Sequence, residues 1–265
     1  RDQRVHSHSA RLLRRSDARY ISPSRRRPSY SVHQQPSVRH VTSRHSRRMP
    51  QHGENNTNNK MPKYKLTYFN FRARAELPRL LFAVAGVEYD DVRIQPNQWL
   101  SLKPSTPFGQ LPTLEVDGEE LSQSNAIARY LAREFGLSGK TSLEQAKADM
   151  IMECVNDMLE PIQPCYREQN VEKKNQMRRD YDLMLPDFMK RLEKLLMSND
   201  GGHGYFVGNE LTYADLAVMN AWHWIPGFGV FPPLQDFPKL SAHRERVENH
   251  PKIADWLDRR PETPV

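Results

Sequence analysis

Asp117-Gly118, set between Leu114-Glu115-Val116 and Glu120-Leu121, constrains what this chain can fold into more than any other feature of its sequence. The favoured two-residue turn needs φ > 0 at both central positions, so this pair reads as the tip of a β-hairpin. Upstream runs Phe108-Gly109-Gln110-Leu111-Pro112-Thr113, where the proline closes a loop and opens a strand. Downstream, Ser124 stands at an N-cap position, Ile127, Tyr130 and Leu131 repeat at helical spacing, and Gly136 stops the run. The first N–H groups of a helix are free and its dipole is positive there, so a helix start attracts anions. A hairpin beside such a start, preceded by X-Pro, is suited to hold a peptide by its backbone and its carboxylate.

The flanking sequence extends this unit. Tyr64-Lys65-Leu66-Thr67-Tyr68-Phe69 has strand composition. Leu77, Leu80, Leu81 and Val84 then recur at helical spacing, and Gly86 ends that helix. Pro78 fits this helix only near its first turn. Tyr89-Asp90-Asp91-Val92-Arg93-Ile94 is a second strand, parallel to the first because a helix separates them. Residues 61–137 thus read as an α/β unit of order βαβ-loop-ββα. Gly136 to Thr141 is a short linker, and residues 142–265 read as all-helical. Stripes at Ile151, Val155, Met158, Leu159 and Ile162, at Phe188, Leu192, Leu195 and Leu196, and at Ile253, Ala254, Trp256 and Leu257 supply that half's core. Thr212 and Asp215 form a capping box with Leu211 and Leu216 as its staple, so Asp215 reads as structural.

Charge is unevenly placed. Residues 1–60 hold fourteen Arg and Lys against three carboxylates, a net +11, whereas the whole chain is +7, so residues 61–265 carry about −4. The globular part therefore gives no charge argument for nucleic acid. Residues 1–60 are rich in Arg, Ser, His, Pro and Asn and show no periodicity, so they are expected to be a disordered basic extension. We read them first as no functional part of the natural protein, then as a transit peptide, then as a basic binding arm. Cys154 and Cys165 fit no disulfide framework or metal site, so a reducing compartment is the simpler setting. No apolar run approaches the roughly 20 residues of a membrane span.

Lys63-Tyr64-Lys65-Leu66-Thr67-Tyr68-Phe69-Asn70, Arg72-Ala73-Arg74-Ala75-Glu76, Trp99, Pro107-Phe108-Gly109-Gln110-Leu111-Pro112 and Gln123-Ser124 together resemble the sigma class of glutathione transferases, over about residues 61–265. The resemblance implies a thioredoxin-like domain followed by a helical bundle. It also implies conjugation of reduced glutathione to small hydrophobic electrophiles, as in detoxification. Tyr68 would donate its hydroxyl to the glutathione sulfur. A free thiol titrates near 8.5 and only the thiolate is a strong nucleophile. A neutral O–H donor bonds the charged sulfur better and lowers its pKa. Leu111–Pro112 would be cis, freeing the Leu111 backbone to pair with the cysteinyl unit, with Gly109 and Gln110 bordering the groove. Gln123 and Ser124 would hold the γ-glutamyl carboxylate, and Trp99 and Lys103 the glycine end. Asp157 would reach the glutathione amino group of a neighbouring subunit, which makes the enzyme a homodimer. Arg74 would touch glutathione and help keep its sulfur charged, and Phe69, Arg74, Met158 and Leu159 would line the electrophile pocket.

No metal, membrane or nucleic-acid partner is expected. The location is cytoplasmic, or mitochondrial if residues 1–60 are a transit peptide. Taken alone, the same residues read blandly: strand packing for Tyr68, a solvated loop for Trp99 and Lys103, a plain N-cap for Ser124, a solvated helix face for Asp157. Three positions depart from the family pattern. Ala73 replaces the usual glycine between the arginines. Asn156 and Pro164 stand where vertebrate prostaglandin D synthases of this class have an aspartate and a tryptophan, which argues against a divalent metal and against prostaglandin isomerase activity. S-crystallins, lens proteins on the same fold, and a glutathione-dependent prostaglandin D synthase are the alternative readings.

Overall fold

Strand β1 (Tyr64–Phe69) alternates buried and half-buried residues, which places Tyr64, Leu66 and Tyr68 on one face and Phe69 on the other. It is the second strand of a four-stranded sheet of order β2-β1-β3-β4, with β2 Asp90–Ile94, β3 Thr113–Val116 and β4 Glu119–Ser122. β1 and β2 run parallel, while β1–β3 and β3–β4 are antiparallel. Leu66 pairs with Leu114 and Leu114 with Leu121, so the hairpin register sets leucines side by side. At the hairpin tip Asp117 has φ +49 and Gly118 φ +95, the left-handed pair that such a turn requires. This computed structural model describes residues 61–263, so the expectations for residues 1–60 lie outside the described residues.

Helix α1 (Ala73–Ala85) closes on Gly86, whose φ of +68 lets its N–H cap the last carbonyls. Pro78 is the sixth residue of α1, beyond the first turn where the sequence seemed to allow it. Its missing N–H costs one helix bond, to the Arg74 carbonyl. Complete burial of Leu80 and Leu81 and near-complete burial of Phe82 outweigh that loss, at about 1.5–3 kcal/mol for each side chain.

The segment read as a loop after β2 contains α2 (Pro96–Leu102). Pro96 opens it, and Gln95 and Gln98 exchange a capping box, the Gln95 N–H donating to Gln98 Oε1 at 2.7 Å. Helix α3 (Ser124–Glu134) follows the hairpin with Ile127, Ala128, Leu131 and Ala132 buried. Its N-cap is Gln123, not Ser124, because Gln123 has φ +74 and lies outside helical space.

The rest of the described chain is built on helices joined by loops and short 3-10 turns: α4 (Ser142–Leu159), α5 (Ile162–Arg167), α6 (Val171–Met197), α7 (Tyr213–Trp224), α8 (Pro238–Glu248) and α9 (Pro251–Arg259). None of the described helices is long and apolar enough to cross a membrane. α7 is the axle of this half, with every residue from Tyr213 to Trp222 buried. Its start is held by Asp215, fully buried. The carboxylate accepts from the Phe206 and Thr212 N–H groups and the Thr212 hydroxyl, each at 2.8 Å, and lies 2.9 Å from His243 Nε2. The last helix is tied to the first: Glu76 of α1, 1 % exposed, accepts from Trp256 Nε1 and Arg260 Nη1, both at 2.9 Å.

Candidate active site

Where the end of β1 meets the starts of α1 and α3 and the flanks of α4, α5 and α7, a cavity of about 580 Å³ opens. That volume accommodates a small organic molecule together with part of a peptide. Tyr68 reaches it because it is the last buried-face residue of β1. The chain then turns sharply: Ala73 has φ +32, and the Arg74 backbone N–H behind it favours the ionised form of the Tyr68 phenol. Burial pushes the phenol's pKa up, against the pull of that N–H and of the Arg74 and Arg79 guanidinium groups, and burial wins. Tyr68 is therefore a protonated donor across neutral pH, not a base.

Gln123, Ser124 and Asn125 bring the start of α3 to the same wall. No side chain caps that start. A left-handed, non-glycine residue at an uncapped helix end, facing a cavity, is a strained conformation of the kind found at binding sites. α4 contributes Met152, Val155, Asn156 and Leu159 along one helical face, continued by its C-cap Glu160. α5 adds Ile162, Gln163, Pro164 and Tyr166, α7 adds Ala217, Asn220 and Trp224, and Phe228 closes the far end, its ring 5.8 Å from that of Tyr166.

Of the residues singled out in the sequence, Tyr68, Arg74, Gln123, Ser124 and Leu159 meet on this wall. Phe69 does not. Strand alternation turns it to the opposite face, where its ring lies 5.8 Å from Trp99, and Phe71 takes the cavity position instead. Met158 does not either: it is fully buried on the core side of α4, and Met152, two turns earlier, faces the cavity.

Trp99 is half-buried and Lys103 exposed at the α2 end of the molecule, outside the cavity wall. Lys103 lies against Gly109, where an added Cβ would come within 3.3 Å of Lys103 Cε, so these two form one surface. Leu111–Pro112 is cis, with Gln110 exposed, Leu111 half-buried and Pro112 buried at the head of β3. Asp157 is exposed on the outer face of α4. Sequence reading missed Phe71, Asn125, Met152, Tyr166, Asn220, Trp224 and Phe228. The spacing Ala217, Asn220, Trp224 on one helix was the only signal for the α7 group.

Comparison with known proteins agrees across the described chain. A family model described as "Glutathione S-transferase, N-terminal domain" matches residues 64–133, and "Glutathione S-transferase, C-terminal domain" matches residues 156–260. Glutathione S-transferase 1 of Ascaris suum is 42% identical over 212 residues, covering 77% of this chain and all of that protein. Hematopoietic prostaglandin D synthase of Gallus gallus is 42% identical over 209 residues, with the same coverage. The crystal structure of monomeric Na-GST-3, a glutathione S-transferase of the hookworm Necator americanus, superposes with a TM-score of 0.68 at 36% identity, covering 77% of this chain and all of that one.

Proposed function

The chain belongs to the glutathione S-transferase family, and from that membership we propose that Tyr68 and the start of α3 hold reduced glutathione with its sulfur in the cavity, poised to attack a small hydrophobic electrophile. The observation that carries this is the buried, protonated Tyr68 phenol on the same cavity wall as the uncapped Gln123–Ser124 helix start. The phenol O–H donates to the sulfur and favours its anionic form. Arg74 adds positive charge nearby, and the α3 N–H groups take the γ-glutamyl carboxylate. The sulfur then bonds to the electrophilic carbon, and either a leaving group departs with its electron pair or a π pair shifts away and is protonated. The rest of the tripeptide extends along Leu111, whose backbone pairs with the cysteinyl unit, towards Trp99, Lys103 and Gly109, where an indole N–H and an ammonium suit the terminal carboxylate.

Leu159 and its neighbours Phe71, Tyr166 and Phe228 supply the apolar wall for the electrophile. Pro164 lines the cavity where the resemblance gives prostaglandin synthases a tryptophan, which favours conjugation over isomerisation. The open cavity favours an enzyme over a lens structural protein. Both cysteines are free thiols, in keeping with a cytoplasmic setting. Glutathione is a co-substrate, and no metal enters the step.

We infer a homodimer as well. Leu143 (65% exposed), Met150 (50% exposed) and the exposed Asp157 recur every seven residues and so share one outer face of α4. An apolar stripe ending in a carboxylate suits a face that joins a second copy and carries Asp157 to its glutathione.

Tyr68→Phe tests the central step. It removes the O–H and keeps the ring. The ultraviolet absorbance of bound thiolate at neutral pH should drop and the conjugation rate fall roughly 10- to 100-fold, one to two pKa units at about 1.4 kcal/mol each. Unchanged absorbance together with an unchanged rate would remove Tyr68 from the chemistry.

A further inference from the structure

Asn220 is an amide within the otherwise apolar stretch Leu216–Trp222 of α7. Every α7 residue from Tyr213 to Trp222 is buried, and Asn220, 9% exposed, lines the cavity. Its neighbours on that face are Ala217, whose small side chain leaves room, and Trp224, one turn further on. Phe71 and Leu159 line the same cavity, and the Phe228 ring lies 6.4 Å from that of Trp224. A carboxamide in such a wall offers two N–H donors and one acceptor, and an apolar occupant would leave them unmatched at a cost.

We propose that Asn220 selects the electrophile: it favours α,β-unsaturated carbonyl compounds with a flat apolar body over apolar electrophiles that lack a hydrogen-bond acceptor. This rests on the cavity being the electrophile site. In the addition, the glutathione sulfur bonds to the β-carbon, the C=C pair moves to the Cα–carbonyl carbon bond, and the carbonyl π pair moves onto oxygen. The α-carbon then takes a proton from water and the carbonyl re-forms. The net change is addition of S–H across C=C, with nothing oxidised. An N–H donor to the carbonyl oxygen strengthens as that oxygen gains charge, so Asn220 acts on the rate as well as on binding.

The test compares Asn220→Leu with the native chain in two arms. Calorimetry measures the unreactive ketone 4-phenyl-2-butanone against its hydrocarbon counterpart butylbenzene, without glutathione. The native protein should bind the ketone better, and Asn220→Leu should weaken the ketone about 3- to 10-fold while leaving butylbenzene equal or tighter. In turnover with glutathione, kcat/KM for 4-phenyl-3-buten-2-one should fall about 10-fold, against less than about 2-fold for benzyl chloride. Leucine in an apolar helix should fold, and Asn220→Ser, a shorter donor, should keep an intermediate ketone preference and serves if it does not. Equal loss for both ligands, or no ketone preference in the native protein, would overturn the proposal. A native protein that yields no thiolate from glutathione would instead fail the transferase reading, and the calorimetric arm would still decide the role of Asn220.

Discussion

Ala73 sits at φ +32, a region where a Cβ crowds the backbone and glycine is at ease. The turn carries the chain from the end of β1 into α1 and brings Arg74 to the same cavity wall as the Tyr68 phenol. Ala73→Gly should therefore stabilise the protein by about 1 kcal/mol, the relieved strain exceeding glycine's extra entropy in the unfolded chain, and chemical denaturation would read it. A loss of stability would mean that the alanine methyl packs well enough to outweigh the strain.

Tyr68 carries a pH prediction. Its raised pKa keeps the donor O–H intact through and beyond the ordinary tyrosine range near 10. The conjugation rate should thus rise once, as the bound thiol ionises, and show no falling limb from the phenol below that range. In Tyr68→Phe the rise should move towards the free-thiol value near 8.5. A wild-type rate that declined between pH 8 and 9.5 would show the phenol losing its proton early. Tyr68 stood out only through the family resemblance, since taken alone it read as strand packing; its place on the cavity wall follows from its position at the end of β1, where α/β sheets present side chains to ligands. Phe69 was misplaced because one step along a strand reverses the face, and Asn220 was passed over because a lone amide in an apolar helix looks like packing.

At the scale of elements, the long helices were legible because burial imposes a period. α4 and α6 have room for several turns of apolar stripe, and the Thr212–Asp215 capping box marks the start of α7, whereas the Thr141–Glu144 box that starts α4 went unread. α2 was missed for the opposite reason: seven residues, none buried, show no period, and only Pro96 with the Gln95–Gln98 exchange betrays it. Nor could any local pattern reveal that α9 is tied to α1. Glu76 joins Trp256 and Arg260 across some 180 residues of chain. Removing a buried acceptor shared by an indole and a guanidinium leaves both unmatched, with Arg79 also 3.5 Å away. Glu76→Ala should cost about 3 kcal/mol or more of stability, and Glu76→Gln, which keeps one acceptor, distinctly less. Loss of α9 packing should appear first as a red shift of Trp256 emission at low denaturant. Equal costs for the two variants would mean that size, not hydrogen bonding, decides the site.

The whole molecule raises the question of copy number. Nothing in a single chain places Asp157 near its own cavity, since it lies on the outer face of α4 while the cavity faces the other side. Its proposed role requires a second copy. The stripe Leu143, Met150, Asp157 is exposed in one chain, and a partner there would bury it. The hookworm relative Na-GST-3, monomeric in its crystal, makes the expectation a sharp one. Sedimentation of the native protein should give twice the 30.9 kDa of one chain. Met150→Arg puts a charge in the middle of the stripe and should yield the monomer. In that monomer, and in dimeric Asp157→Asn, KM for glutathione should rise by a similar factor, about 3- to 10-fold for one charge-assisted bond, while the rate at saturating glutathione changes little. A monomeric Met150→Arg with native glutathione KM would detach Asp157 from the site, because the carboxylate would then be absent without consequence. A Met150→Arg that still sediments as a dimer would move the interface off this face of α4.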